Sequence, residues 1–65
     1  MMATDRYTRE LQNFGERLRQ IRRTKKLTQA DLEMLTGIDP SDISRIENGQ
    51  KNIEFITIVK FAEAL

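Results

Sequence analysis

Apolar residues recur along this chain at helical spacing. Tyr7, Leu11, Phe14, Leu18 and Ile21 fall three or four apart with polar residues between them, the pattern of one buried stripe on an amphipathic helix. The stripe predicts a helix of four turns or more, ending near Lys25. Gly15 costs this helix some propensity, and a glycine there lets another helix approach closely. The preceding stretch, MMATDRYT, has weak periodicity. Residues 1-10 are therefore expected to be an N-terminal arm and the start of helix one, partly disordered, and residues 11-65 the folded domain.

Two shorter helices follow, built on the same grammar. Thr28 is a good N-cap, Asp31 supplies the acid of a capping box, and Leu27 and Leu32 are placed as a hydrophobic staple. Gly37 suits a left-handed C-cap. Then Asp39 is the next N-cap, Pro40 the first helical residue and Asp42 the third, with Ile38 and Ile43 as a second staple. Gly49 ends this helix; Asn48-Gly49 is not read as a hairpin turn, because no alternating strands flank it. In the last segment, Phe55 to Leu65, Thr57, Lys60 and Glu63 fall three apart and give a helix with a narrow polar face. Such a helix is expected to be buried by more than one neighbour, and Phe14, Phe55 and Phe61 are expected in the core. The architecture predicted is all-α: a compact bundle of four to five helices and no sheet.

Composition narrows the chemistry. Sixty-five residues make one domain, and at that size only about 60% of the unfolded chain's surface is buried, so stability is marginal. The absence of cysteine and histidine excludes disulfides, thiolate metal sites and imidazole acid–base chemistry, and no cofactor or metal is expected. Asp39 and Asp42 form a carboxylate pair, but helix capping explains them and no nucleotide loop accompanies them, so an enzyme is not the expected reading. No apolar run approaches the roughly 20 residues of a membrane span, and no signal-peptide core is present, so a cytoplasmic protein is expected.

The net charge of +1 hides an uneven distribution. Arg17 to Lys26 holds six basic residues and no acid, whereas Thr28 to Asn48 holds five acids against Arg45 alone, a balance of −4. The basic run is either a solvated helix face or a phosphate-facing strip. In the third helix Ile43 and Ile46 point to the core, while Ser41, Ser44, Arg45 and Asn48 lie at i, i+3, i+4 and i+7 on an outward face. Two short helices joined by Gly-Ile-Asp, the second with a polar outer face, outline a helix-turn-helix, whose second helix fits the major groove of DNA. Arginine pairs bidentately with guanine O6 and N7, serines contact base edges or phosphates, and Gln29 and Lys51 flank the motif where phosphates would lie.

Leu27 to Gly49, LTQADLEMLTGIDPSDISRIENG, resembles the helix-turn-helix of phage repressor and Cro-type (XRE-like) transcriptional regulators. The likeness covers roughly Phe14 to Leu65. It implies a lambda-repressor-like DNA-binding domain with Pro40, Ser41, Ser44 and Arg45 facing bases and Gln29, Asn48 and Lys51 near phosphates. Arg23, Lys25 and Lys26 would add phosphate attraction; neutralising about five phosphates gives a salt slope near −4.5 per subunit. The resemblance also implies a structural ion pair between Arg22 and Glu47. It implies double-stranded DNA as partner, a homodimer on a palindromic operator, and action as a repressor, nucleoid-associated in a cytoplasm and prokaryotic or phage-encoded; no small-molecule effector is evident. Four departures stand out. Glu33 falls where the family has a small alanine between helices two and three, and Ile53-Glu54 replaces a frequent Pro-Ser before helix four. Pro40 offers bases only apolar contact, and an acid at Asp42 is repelled by phosphate unless it turns away or a cation intervenes. Many relatives continue into a fifth helix, so apolar surface on helix four is available for self-association. The rival reading is a protein-interaction module that keeps the fold and has lost DNA affinity.

Overall fold

Helix α1 (Met2–Thr24) starts well before the apolar stripe that predicts it. The computed structural model describes residues 2–65, with side chains from Arg6 onward. Met1 lies outside the described residues, and the rest of the stretch expected as a partly ordered arm is helical. Residues 2–14 contain no proline or glycine, so a helix nucleated further along propagates back through them. At about 1.5 Å per residue α1 is roughly 35 Å long, which accounts for the longest dimension of the molecule, 37 Å against 22 and 19 Å. Its first turns outrun the rest of the body, and Tyr7, expected on the buried stripe, is exposed.

The end of α1 is shaped by a residue other than glycine. Lys26 adopts φ 59°, its N–H donates to the Arg23 carbonyl (2.9 Å), and the Leu27 N–H donates to the Arg22 carbonyl (3.0 Å). This is a Schellman motif with lysine in the position glycine usually fills. Helix α2 (Gln29–Thr36) opens with the full capping box. The Asp31 N–H donates to Thr28 Oγ1 at 3.0 Å and the Thr28 N–H donates to Asp31 Oδ2 at 2.8 Å. It closes on Gly37 at φ 76°. Thr36 then stitches the turn: its hydroxyl donates to the Leu32 carbonyl and accepts from the Ile38 N–H.

Helix α3 (Pro40–Glu47) starts from Asp39, whose carboxylate accepts the Ser41 N–H, with Pro40 in the first turn. It ends in a second Schellman motif, the Gly49 N–H donating to the Ile46 carbonyl (3.1 Å) and the Gln50 N–H to the Arg45 carbonyl (2.8 Å). Gly49 has φ 71°, and a Cβ there would sit 2.6 Å from Gln12 Cγ and 2.8 Å from Gln12 Cα. The conformation and the space therefore both call for glycine. Helix α4 (Phe55–Ala64) follows, with Glu54 at its N-cap making no side-chain capping bond. Among the described residues there is no strand.

Helix α3 sits at the centre, packed on α1 and α2, while α4 packs on α2. The buried core is Leu18, Leu32, Ile43, Ile46 and Phe61, with Phe14, Ile38, Ile53, Ala64 and Leu65 partly buried around it. Helices α1 and α3 meet backbone to backbone at Gly15. A Cβ there would collide with the Ile46 carbonyl oxygen and stand 2.6 Å from that of Glu47.

Two expectations for α4 fail. It is not enclosed by several neighbours, and Phe55 is not core: Phe55 is 78% exposed and Ile56 56%, with Ile58 also exposed. The stripe through Thr57, Phe61 and Ala64 turns inward, with Val59 and Leu65 also half-buried. A helix touching the body along one side buries one stripe whatever its composition, and no other element of the described chain reaches the far side. Glu33, where the family has a small alanine, is exposed, so it does not crowd the α2–α3 junction. Among the described residues no helix is long and apolar enough to cross a membrane.

Candidate nucleic-acid interface

The outer side of α3 is defined by what its inner side holds. Ile43 and Ile46 fill the core, and Glu47 is buried at 3% exposure beside Arg22 at 8%. Arg22 Nε donates to Glu47 Oε2 at 2.7 Å and Nη2 to Oε1 at 3.0 Å, a bidentate pair. Arg22 Nη1 donates to the Leu27 carbonyl at 2.8 Å, and Gln29 Nε2 donates to Glu47 Oε1 at 3.1 Å. One buried carboxylate thus ties the end of α1, the start of α2 and the end of α3. Every buried side-chain polar atom among the described residues has a partner, the condition under which a buried ion pair is tolerated. Burial alone would push the Glu47 carboxyl up. The hydrogen bonds from Arg22 and Gln29 and the charges of Arg22 and Arg19 outweigh it and hold the group below its ordinary value of 4.5.

This lock holds the polar stripe at the surface. Ser41, Arg45 and Asn48 are exposed, Ser44 and Pro40 half-buried. Asp39 Oδ1 accepts both the N–H and the hydroxyl of Ser41 at 3.0 Å, so in the free protein Ser41 offers an outside partner lone pairs instead of its proton. The N–H and hydroxyl of Ser41 also draw the Asp39 carboxyl below its ordinary range. Asn48 is turned by Arg19, whose Nη2 donates to Asn48 Oδ1 at 2.6 Å. That contact uses the acceptor end of the amide and leaves the NH2 donors outward, the end a phosphate needs. Arg19, which sequence reading counted only as part of the basic run, thereby orients Asn48; it also lies 3.6 Å from Glu47 Oε1. Its signal was its place three residues before Arg22, on the same helix face.

Other candidates are placed less simply. Gln29 spends one amide hydrogen on Glu47 and is half-buried, so its side chain serves the lock as well as any phosphate. Arg23, Lys25 and Lys26 are exposed in the last turn of α1 and the turn beyond it. There they also suit the negative end of the helix dipole. Of the six basic residues from Arg17 to Lys26, Arg22 is buried and Arg19 half-buried, leaving four exposed.

The acidic balance of the motif is largely quenched on the spot. Asp31 and Asp39 cap helices, and Glu47 is neutralised by Arg22. Asp42 meets the condition of an intervening cation: its Oδ1 is 3.2 Å from Lys51 Nζ and 3.7 Å from Arg45 Nη1.

A helix–turn–helix with a locked inner face and a polar outer face is the architecture of a DNA-reading domain. Comparison with known proteins agrees. A family model described as "Helix-turn-helix domain" matches residues 15–65. The chain is similar to the HTH-type transcriptional repressor RghR of Bacillus subtilis, 45% identical over 56 residues that cover 85% of this chain and 42% of RghR. It is also similar to an uncharacterized HTH-type transcriptional regulator, RghRB, of the same organism, at 43% identity over 80% of this chain and 38% of that protein. Thus the chain spans about two-fifths of the length of these Bacillus relatives. Among solved structures it resembles the restriction-modification controller protein C.AhdI from Aeromonas hydrophila, with a TM-score of 0.82 and 42% identity over 85% of this chain and 83% of that one. The chain belongs to the helix-turn-helix family of transcriptional regulators of the phage repressor and Cro type.

Proposed function

We propose that this chain is a sequence-specific DNA-binding transcriptional regulator, a repressor, that lays residues 40–48 in the major groove. One observation carries the reading: Ser41, Ser44, Arg45 and Asn48 share the outward side of a helix whose opposite side is locked by Ile43, Ile46 and Glu47. The relatives named as transcriptional regulators and the controller-protein neighbour support it.

In this reading Arg45 contacts guanine, Ser41 and Ser44 reach neighbouring base edges, and Pro40 gives apolar contact to a thymine methyl. Asn48 and Lys51 bond phosphates on one side of the groove, and Gln29 on the other, with Arg23, Lys25 and Lys26 adding attraction. The protein acts in the cytoplasm at the nucleoid as a homodimer on half-sites about one helical turn apart. The apolar surface of α4 at Phe55, Ile56 and Ile58, exposed in the single chain, supports self-association.

Selection of bound duplexes from a random DNA library tests this. Enrichment of an inverted repeat is expected, and Arg45→Ala should then relax one guanine position at a cost of about 1–3 kcal/mol. Recovery of no preferred sequence at low or physiological salt would end the reading.

A further inference from the structure

The motif has few cations of its own. Between Thr28 and Asn52 the only basic residues are Arg45 and Lys51, and both are drawn to the same atom, Oδ1 of Asp42, at 3.7 and 3.2 Å. Side-chain exposure is 61% for Arg45, 44% for Lys51 and 34% for Asp42, so the three-membered cluster stands at the surface. Asp42 is not needed as a cap, because Asp39 fills that role at the head of α3.

Two roles are open to such an acid. A buttress that stiffens Arg45 for guanine would grip it with short, bidentate hydrogen bonds. The closest approach here is 3.7 Å, too long for a hydrogen bond, and the shorter contact is to Lys51. The geometry is that of a competitor. Asp42 offers the two cations the kind of partner that a phosphate or a base edge would otherwise supply, and adds a negative charge that repels the DNA backbone. Any duplex, whatever its sequence, meets that repulsion. Only a site that pairs Arg45 bidentately and Lys51 at once recovers it in full.

Resting on the DNA-binding reading above, we infer that Asp42 is a specificity-determining residue, which lowers non-specific affinity by holding Arg45 and Lys51 until a fitting site takes both. It gives up absolute affinity for a larger ratio between operator and random DNA, as a repulsive element does in other discriminating interfaces.

The experiment compares the wild type with Asp42→Asn on two duplexes, the sequence selected by the wild type and a scrambled one, across a salt series. The substitution keeps the shape and removes the charge. Expected for Asp42→Asn is a rise on the scrambled duplex of about two- to fivefold at low salt, in line with the modest strength of exposed ion pairs. A smaller rise on the selected duplex and a salt slope steeper by about one to two as the cations are released would accompany it. Lys51→Ala in the Asp42→Asn background should cancel about half of the steepening. Unchanged affinity and slope on both duplexes would overturn the inference. So would a loss of affinity on the selected duplex with none on the scrambled one, which would make Asp42 a direct reader or a buttress of Arg45. If selection with the wild type recovers no duplex and Asp42→Asn binds no DNA either, the DNA-binding reading itself fails and takes this one with it. A wild type that binds while the variant shows no change defeats the Asp42 assignment alone.

Discussion

Glu47 is the residue on which most of the motif depends, since it accepts hydrogen bonds from Arg22 and Gln29 and lies within ion-pair range of Arg19. Replacing it by alanine leaves the Arg22 guanidinium buried without a counter-charge, a change that typically costs about 3–5 kcal/mol. A chain of this length holds only about 3–10 kcal/mol in total. Glu47→Ala is therefore expected to be largely unfolded by circular dichroism at ambient temperature. The same residue sets an acid limit. Its folded-state carboxyl lies below the ordinary value of 4.5, so as the pH falls the unfolded chain takes up the proton first. The stabilisation is complete above that ordinary value and is lost as pH drops through the depressed one. Asp31 and Asp39, also drawn down, add in the same direction. Urea midpoints should be flat from neutral pH down to the ordinary carboxylate range and fall as the pH drops below it; a midpoint that rises on acidification would contradict this. Gly15 is the other sensitive position. Gly15→Ala gains helix propensity but thrusts a methyl into two carbonyl groups of α3, and overpacking against backbone should cost about 1–3 kcal/mol, read by the urea midpoint.

Element ends carry the departures from ideal helix grammar, and each can be tested by restoring it. Lys26 holds a left-handed conformation that glycine would adopt without strain. Lys26→Gly is expected to stabilise the fold by about 1 kcal/mol while weakening DNA binding, because it removes an exposed cation. Opposite signs in a thermal melt and a binding titration separate the two roles. Glu54 makes no capping bond at the head of α4, where the family often has serine. Glu54→Ser should add about 0.5–1 kcal/mol in the same melt. The other caps were legible in the chain because they are local. Thr28 with Asp31, and Asp39 with Pro40, reach only two or three residues, a distance at which residue type alone nearly determines the hydrogen bond.

For the whole molecule, the exposed apolar surface of α4 is the feature with the largest consequence. Phe55→Ser combined with Ile56→Glu is expected to leave the helical content unchanged. It should shift the chain toward monomer in sedimentation and weaken binding to an inverted repeat more than to a single half-site. An unchanged sedimentation profile would count against the proposed role of this surface in a homodimer. The exposed cations set the salt response. If Arg23, Lys25, Lys26 and Lys51 each neutralise one phosphate, the slope of log affinity against log salt is about −3.6 per subunit. It is shallower to the extent that Asp42 retains Lys51.

What the chain alone determined was much of what is reachable within a helical turn: four helices, the caps at Thr28 and Asp39, the stops at Gly37 and Gly49, and the polar stripe from Ser41 to Asn48. Its helix-turn-helix grammar is dense enough to name the family. What only the tertiary structure decided was which side of each helix finds a neighbour. Phe55 reads as core by composition yet lies outside, because α4 touches the body along one stripe. Arg19, Arg22, Gln29 and Glu47 lie up to 28 residues apart in sequence and meet only because Gly15 lets α1 approach α3. The pairing of Asp42 with Lys51 likewise depends on where the chain goes after the left-handed turn at Gly49. Local hydrogen bonds are encoded by neighbouring residue types; burial and long-range charge pairing depend on the shape into which those local choices add up.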